Sequence, residues 1–81
     1  MYFRIISFTL LAPSLWAMIN QFKANKNENL KVIKIAENKG FILESFKDSS
    51  TAGKSTEILA AMQSLKGQAM AKVVVEEGTE V

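Results

Sequence analysis

The apolar pattern changes character twice along the chain. From Ile5 to Phe22, IISFTLLAPSLWAMINQF, eighteen residues pass without a charge, twelve of them apolar and five Ser, Thr, Asn or Gln. As one helix this run reaches about 27 Å at ~1.5 Å per residue, against ~30 Å for the hydrocarbon core of a bilayer, and it predicts a single transmembrane helix over residues 1–22. Tyr2, Phe3 and Phe22 fall at its ends, where aromatic rings settle at the lipid–water boundary. Pro13 removes one backbone donor, and Thr9, four residues earlier, is placed to meet the freed carbonyl. Ser7, Ser14 and Gln21 recur every seven residues, with Ala17 one turn after Ser14. On a helix these four make a small, polar stripe suited to close packing inside a membrane.

The pattern then becomes polar and afterwards alternating. Residues 23–29, KANKNEN, hold no apolar periodicity and read as a linker. Leu30 to Ala36 (LKVIKIA) and Phe41 to Lys47 (FILESFK) predict a hairpin across Glu37-Asn38-Lys39-Gly40, with Gly40 in the left-handed conformation. One register sets Lys34 opposite Glu44 and Val32 opposite Phe46, leaving Ile33, Ile35 and Leu43 on the other face. Both faces then carry apolar residues: one must pack on a helix, and the other is free for a partner or lipid headgroups. DSSTAG, from Asp48 to Gly53, reads as a loop, with Ser55 or Thr56 capping the helix that follows. Ile58, Ala61, Met62, Leu65 and Ala69 give that helix its apolar stripe, and Val73-Val74-Val75 reads as a last, buried strand.

The expected fold is therefore α+β: an N-terminal single transmembrane helix, residues 1–22, a polar linker, 23–29, and a small β-β-α-β domain, 30–81, with one helix packed on a three-stranded sheet. A right-handed crossover through the helix places the third strand parallel to the second. So small a domain, without disulfide or metal, gains from support by a partner or an oligomer.

Charge orients this arrangement. The net charge is +2, with residues 1–36 carrying Arg4, Lys23, Lys26, Lys31 and Lys34 against Glu28, and the acids concentrated in the remainder. Lys23, Lys26, Lys31 and Lys34 follow the apolar run closely, which predicts an outside N-terminus, a C-terminal domain on the cytoplasmic, stromal or matrix side, and basic contacts at the membrane surface. The competing reading is a cleaved secretory signal, with Arg4 as its basic start and Pro13 as the breaker. Its cleavage site is poor, since Leu15-Trp16-Ala17 and Ala12-Pro13-Ser14 each put an unsuitable residue at or before the cut.

Candidate chemistry is sparse. With no Cys and no His, thiolate and imidazole metal sites and Cys- or His-based catalysis are excluded. Ala52-Gly53-Lys54-Ser55-Thr56 invites comparison with a phosphate-binding loop, but the first Gly of that pattern falls on Asp48, whose carboxylate repels phosphate. Glu76 and Glu77 are adjacent and point to opposite faces of a strand, so they form no acid–base pair. Thr79-Glu80-Val81 resembles a ligand of PDZ domains on three residues alone. Nucleic-acid binding asks for more Arg and exposed aromatic platforms than the chain offers. No catalytic, cofactor or metal residues are expected.

These readings converge on a non-enzymatic, single-pass accessory subunit that stabilises or attaches parts of a larger membrane protein complex, of the architecture seen in photosynthetic and respiratory assemblies. Its expected partners are other subunits and the lipid bilayer, with neither nucleic acid nor nucleotide. The alternatives are an exported small binding module with a cleaved signal peptide and a soluble self-assembling protein.

Overall fold

The computed structural model describes residues 1–24, 29–68 and 70–81, with the side chains of all of these except Phe22, Lys23 and Ala24. The elements are β1 (Tyr2–Thr9), a 3-10 turn (Pro13–Leu15), α1 (Trp16–Ala24), β2 (Leu30–Ala36), β3 (Lys39–Phe46), α2 (Ser49–Lys54), α3 (Glu57–Gln68) and β4 (Lys72–Thr79). The four strands form one sheet in the order β2-β3-β1-β4, every neighbouring pair antiparallel. Strand, helix, strand, strand, helix, strand in this arrangement is the split β-α-β, or ferredoxin-like, topology, with α2 as a short addition.

This overturns the expected fold of a transmembrane helix on a three-stranded domain. The apolar run breaks at Leu10–Ala12 into a strand and a helix. Six of the eight residues of β1, YFRIISFT, are aromatic or β-branched, which favours the extended chain. β1 is central in the sheet and carries apolar residues in both phases, Phe3 and Ile5 in one and Ile6 and Phe8 in the other, so the strand reads as a continuous hydrophobic run. Pro13 starts the 3-10 turn, where its missing N–H costs nothing. α1 has nine residues, about 13 Å at ~1.5 Å per residue. Among the described residues no helix is long and apolar enough to cross a membrane, which removes the transmembrane assignment and the orientation built on it.

The β2–β3 hairpin forms, but in a different register. Leu30 pairs with Glu44, Val32 with Ile42 and Lys34 with Gly40, four residues away from the expected pairing, and a bulge lies between Lys34 and Ala36. The turn is Glu37–Asn38, so Gly40 lies inside β3, and no glycine has positive φ. Gly40 is required by contact: a Cβ there would collide with the Ile33 carbonyl oxygen and stand 2.9 Å from Trp16 Cη2. Trp16 in turn donates its indole N–H to the Glu37 carbonyl, meets Phe8 edge-on at 5.3 Å, and lies under the Lys34 ammonium. One side chain thus clamps the start of α1 to the hairpin.

The helices cover a single face of the sheet. Ile6, Phe8 and Ile42 from the strands join Ile19 of α1 and Ile58, Met62 and Leu65 of α3 in one buried cluster. β4 is antiparallel to β1 and therefore parallel to β3, with β1 filling the gap between them. The segment read as a loop holds α2, whose N-cap is Asp48: its Oδ1 accepts from the Thr51 backbone N–H at 2.8 Å and from the Thr51 hydroxyl at 2.9 Å.

Candidate docking surface

Strand alternation sends Arg4 to the helix-covered face, where it is 2 % exposed. Cross-strand pairing places Glu44 on one side of it and Glu77 on the other. Nη1 donates to the Ser55 carbonyl at 2.7 Å and to Glu44 at 3.4 Å, Nη2 to the Ala52 carbonyl at 2.7 Å, and Nε to Glu77 at 3.3 Å. The guanidinium also sits 5.1 Å from the Phe46 ring centroid, and the Tyr2 hydroxyl donates to Glu77 at 2.9 Å. Burial pushes the Glu44 carboxyl above its ordinary range, with the Arg4 charge acting against that shift. Beside Glu44 lies a polar cleft of about 170 Å³ bordered by Lys54, Ser55 and Glu57. Every nitrogen of Arg4 already donates to a protein acceptor, so the group closes the α2–α3 corner over the sheet. Among the described residues no set of three or more acidic, His or Cys side chains converges to hold a metal ion.

The opposite face of the sheet carries no helix. Its residues fall into rows fixed by the register. One row reads Lys31, Leu43, Ile5, Glu76 from the β2 edge to the β4 edge, and the next reads Ile33, Phe41, Ser7, Val74. Beyond the first row lie Ser45, Phe3 and Gly78; beyond the second lie Lys39, Thr9 and Lys72, with Ile35 at the bulge beside them. Ile33 is 41 % exposed, Val74 57 % and Ile35 59 %. An antiparallel sheet with one solvated face normally alternates apolar inward and polar outward. Here seven large apolar residues, Phe3, Ile5, Ile33, Ile35, Phe41, Leu43 and Val74, lie on the uncovered side. At the β4 edge Phe3, Ile5 and Leu43 floor a groove of about 620 Å³ whose rim includes Glu76 and Glu80.

The residues singled out from the sequence scatter over this architecture. Of the expected packing stripe, Ser7 is on β1 in the uncovered face, Ser14 is in the 3-10 turn, and Ala17 and Gln21 are exposed on α1; the four share no helix. Of the basic set, Lys31 and Lys34 stand on opposite faces of β2, Lys23 belongs to the last turn of α1, and Lys26 lies outside the described residues. Ala69 of the α3 stripe also lies outside them. Lys54 of the phosphate-loop comparison closes α2 beside the polar cleft. Thr79 belongs to β4, and the Glu80 N–H donates to the Met1 carbonyl at 2.9 Å, so this tail is already part of the sheet. Phe3, expected at a membrane boundary, and Val74, expected in a buried strand, instead help to carry the uncovered face together with Ile5; the signal was the period-2 alternation about Arg4, hidden because both phases are apolar. No protein-family model matches the chain, and no curated protein matches it.

Proposed function

We propose that this chain is a non-catalytic assembly module whose working surface is the uncovered face of its sheet, where it seats a protein partner. The apolar character of that face carries the reading: seven large hydrophobic side chains stand where an antiparallel sheet in water would place polar ones. Two further observations support it. The chain has neither His nor Cys, and the buried Arg4 is engaged by carbonyls and carboxylates of its own fold. A domain of 81 residues also buries a smaller share of its surface than a larger one does, so covering a second face adds stability that one helical layer does not supply.

Export with cleavage between Ser14 and Asn20 fits this domain poorly, because the cut would remove β1 and leave β4 with no strand to pair with. The test is a double substitution, Ile33→Asp with Val74→Asp, at the two edges of one row. Both side chains are exposed, so the fold should survive; the expected result is loss of the assembly that the chain enters in a native extract, read by native gel. An unchanged assembly size would remove the uncovered face as the working surface.

A further inference from the structure

Resting on that reading, we infer that the occupant of the uncovered face is a second copy of this chain, related by a twofold axis parallel to the strands. Two aligned sheets pack about 10 Å apart with strand directions within ~30° of each other. An axis along the strands keeps each row on itself but exchanges the sheet edges, so β2 of one copy lies over β4 of the second and β1 lies over β3. Charge and shape then complement each other. Lys31 at the β2 edge meets Glu76 of the second copy, and the symmetry repeats the pair at the other edge. Phe3 faces Ser45 of the second copy, Phe41 faces Ser7, and Ile5 faces Leu43, so each aromatic ring is set over a small residue and the central contact is aliphatic on both sides.

A twofold axis in the same plane but perpendicular to the strands gives none of this. It keeps each strand over itself and exchanges the rows, which sets Lys31 against Ile33 and Glu76 against Val74. Two charges on each copy would lose water without gaining a partner, at a cost of several kcal/mol per ion.

The area is sufficient for association. Strands of seven or eight residues at ~3.3 Å each, four abreast at ~4.8 Å, make a face of roughly 25 by 19 Å, or about 1,000 Å² for two copies, the lower bound for a specific interface. The groove at the β4 edge has the chemistry for a lysine: an apolar floor of Phe3, Ile5 and Leu43 for the methylene stem and Glu76 and Glu80 at the rim for the ammonium. Lys31 of the second copy arrives there.

The experiment uses the full chain and two single variants, Lys31→Glu and Glu76→Lys, with mass read by light scattering and native mass spectrometry across micromolar concentrations. Wild type is expected at twice the 9.0 kDa of one chain. Each variant alone sets like charges opposite each other at both edges and should weaken dimerisation by about tenfold or more. Mixed in equal amounts, the two restore both pairs across a heterodimer, which should form with close to wild-type affinity; this recovery also shows that both variants are folded. A wild-type monomer, variants that dimerise like wild type, or a mixture that stays monomeric would each overturn the inference. A monomeric wild type whose native assembly is still lost with Ile33→Asp/Val74→Asp makes the occupant a different protein and leaves the docking face in place. A monomer whose native assembly ignores that double substitution removes both.

Discussion

Arg4→Met tests whether the buried guanidinium organises the fold. The substitution keeps most of the stem volume and removes all donors, which leaves Glu44, 3 % exposed, with no countercharge and takes one of two donors from the buried Ala52 carbonyl, which keeps the Ser55 N–H. The Ser55 carbonyl and Glu77 lie nearer the surface and can turn to water. Losing one of the two bonds at the Ala52 carbonyl costs about 0.5–1.5 kcal/mol. The cost of Glu44 is bounded by its own chemistry, since it can take up a proton. At about 1.4 kcal/mol per pH unit, the span from an unfolded carboxyl near 4.3 to pH 7 limits that cost to about 3.7 kcal/mol. The total reaches at most about 5 kcal/mol at pH 7, against a whole-domain stability of about 4–12 kcal/mol for a chain this size, so Arg4→Met should lose a large part of its stability. At pH 4 Glu44 is mostly protonated in both states, the carbonyl cost dominates, and most of the lost stability should return. Replacing both partners, Arg4→Met with Glu44→Leu, should recover a large part of the loss at pH 7, because no buried charge is left. Urea unfolding by circular dichroism at the two pH values gives all three numbers. Equal destabilisation by Arg4→Met at pH 4 and pH 7 would refute the reasoning, as would a double variant no more stable than the single one.

Four further outcomes follow from single positions. Gly40→Ala should destabilise by about 1–3 kcal/mol in urea unfolding, since its Cβ would meet the Ile33 carbonyl oxygen and the Trp16 ring. Met70, just before β4, has φ 56°, and Met70→Gly should raise stability by about 0.5–1 kcal/mol, the relief of left-handed backbone strain less the added freedom of the unfolded chain. Glu44→Gln addresses the raised carboxyl: the folded state holds its proton more tightly than the unfolded chain, so this group's contribution to stability falls as pH rises between the two pKa values. The urea midpoint of the variant should therefore gain on wild type from pH 4 to pH 7. Asp48 has the opposite sign, because its bonds from Thr51 lower its pKa and its stabilisation is lost as pH falls through the folded value; Asp48→Ala should lower the midpoint at pH 7, with the difference closing at acid pH.

How much of this was legible depends on what each residue reports. The hairpin strands, α3 and β4 lie close to the spans that the β-branched runs and the three-and-four-residue stripe indicate, although the hairpin register differs. β1 was illegible as a strand, since a strand with neighbours on both edges and apolar residues on both faces carries no alternation, and 18 uncharged residues in line satisfy the length of a membrane helix equally well. The register places Gly40 where local pattern gives no signal: the Ile33 carbonyl oxygen and Trp16, from a different element, occupy the space a side chain at position 40 would need. Asp48 was visible as an obstacle to phosphate, while its role as a helix cap depended on Thr51 three residues on.

Arg4 connects the two readings. Beside an apolar run it looks like the charge that starts a membrane segment or an export signal; within β1 it points to the covered face, and its position fixes the phase of the whole strand. Once Arg4 is turned inward, Phe3, Ile5 and Ser7 must turn outward, and the register delivers Leu43, Phe41 and Val74 to the same side. The apolar excess that suggested a bilayer is thus divided between two layers, a core beneath the helices and a second face with no cover in a single chain. What the composition does report is a surplus of hydrophobic surface over what one helical layer can bury. A copy of the same face, turned about the strand axis, accommodates that surplus and pairs Lys31 with Glu76 at both edges.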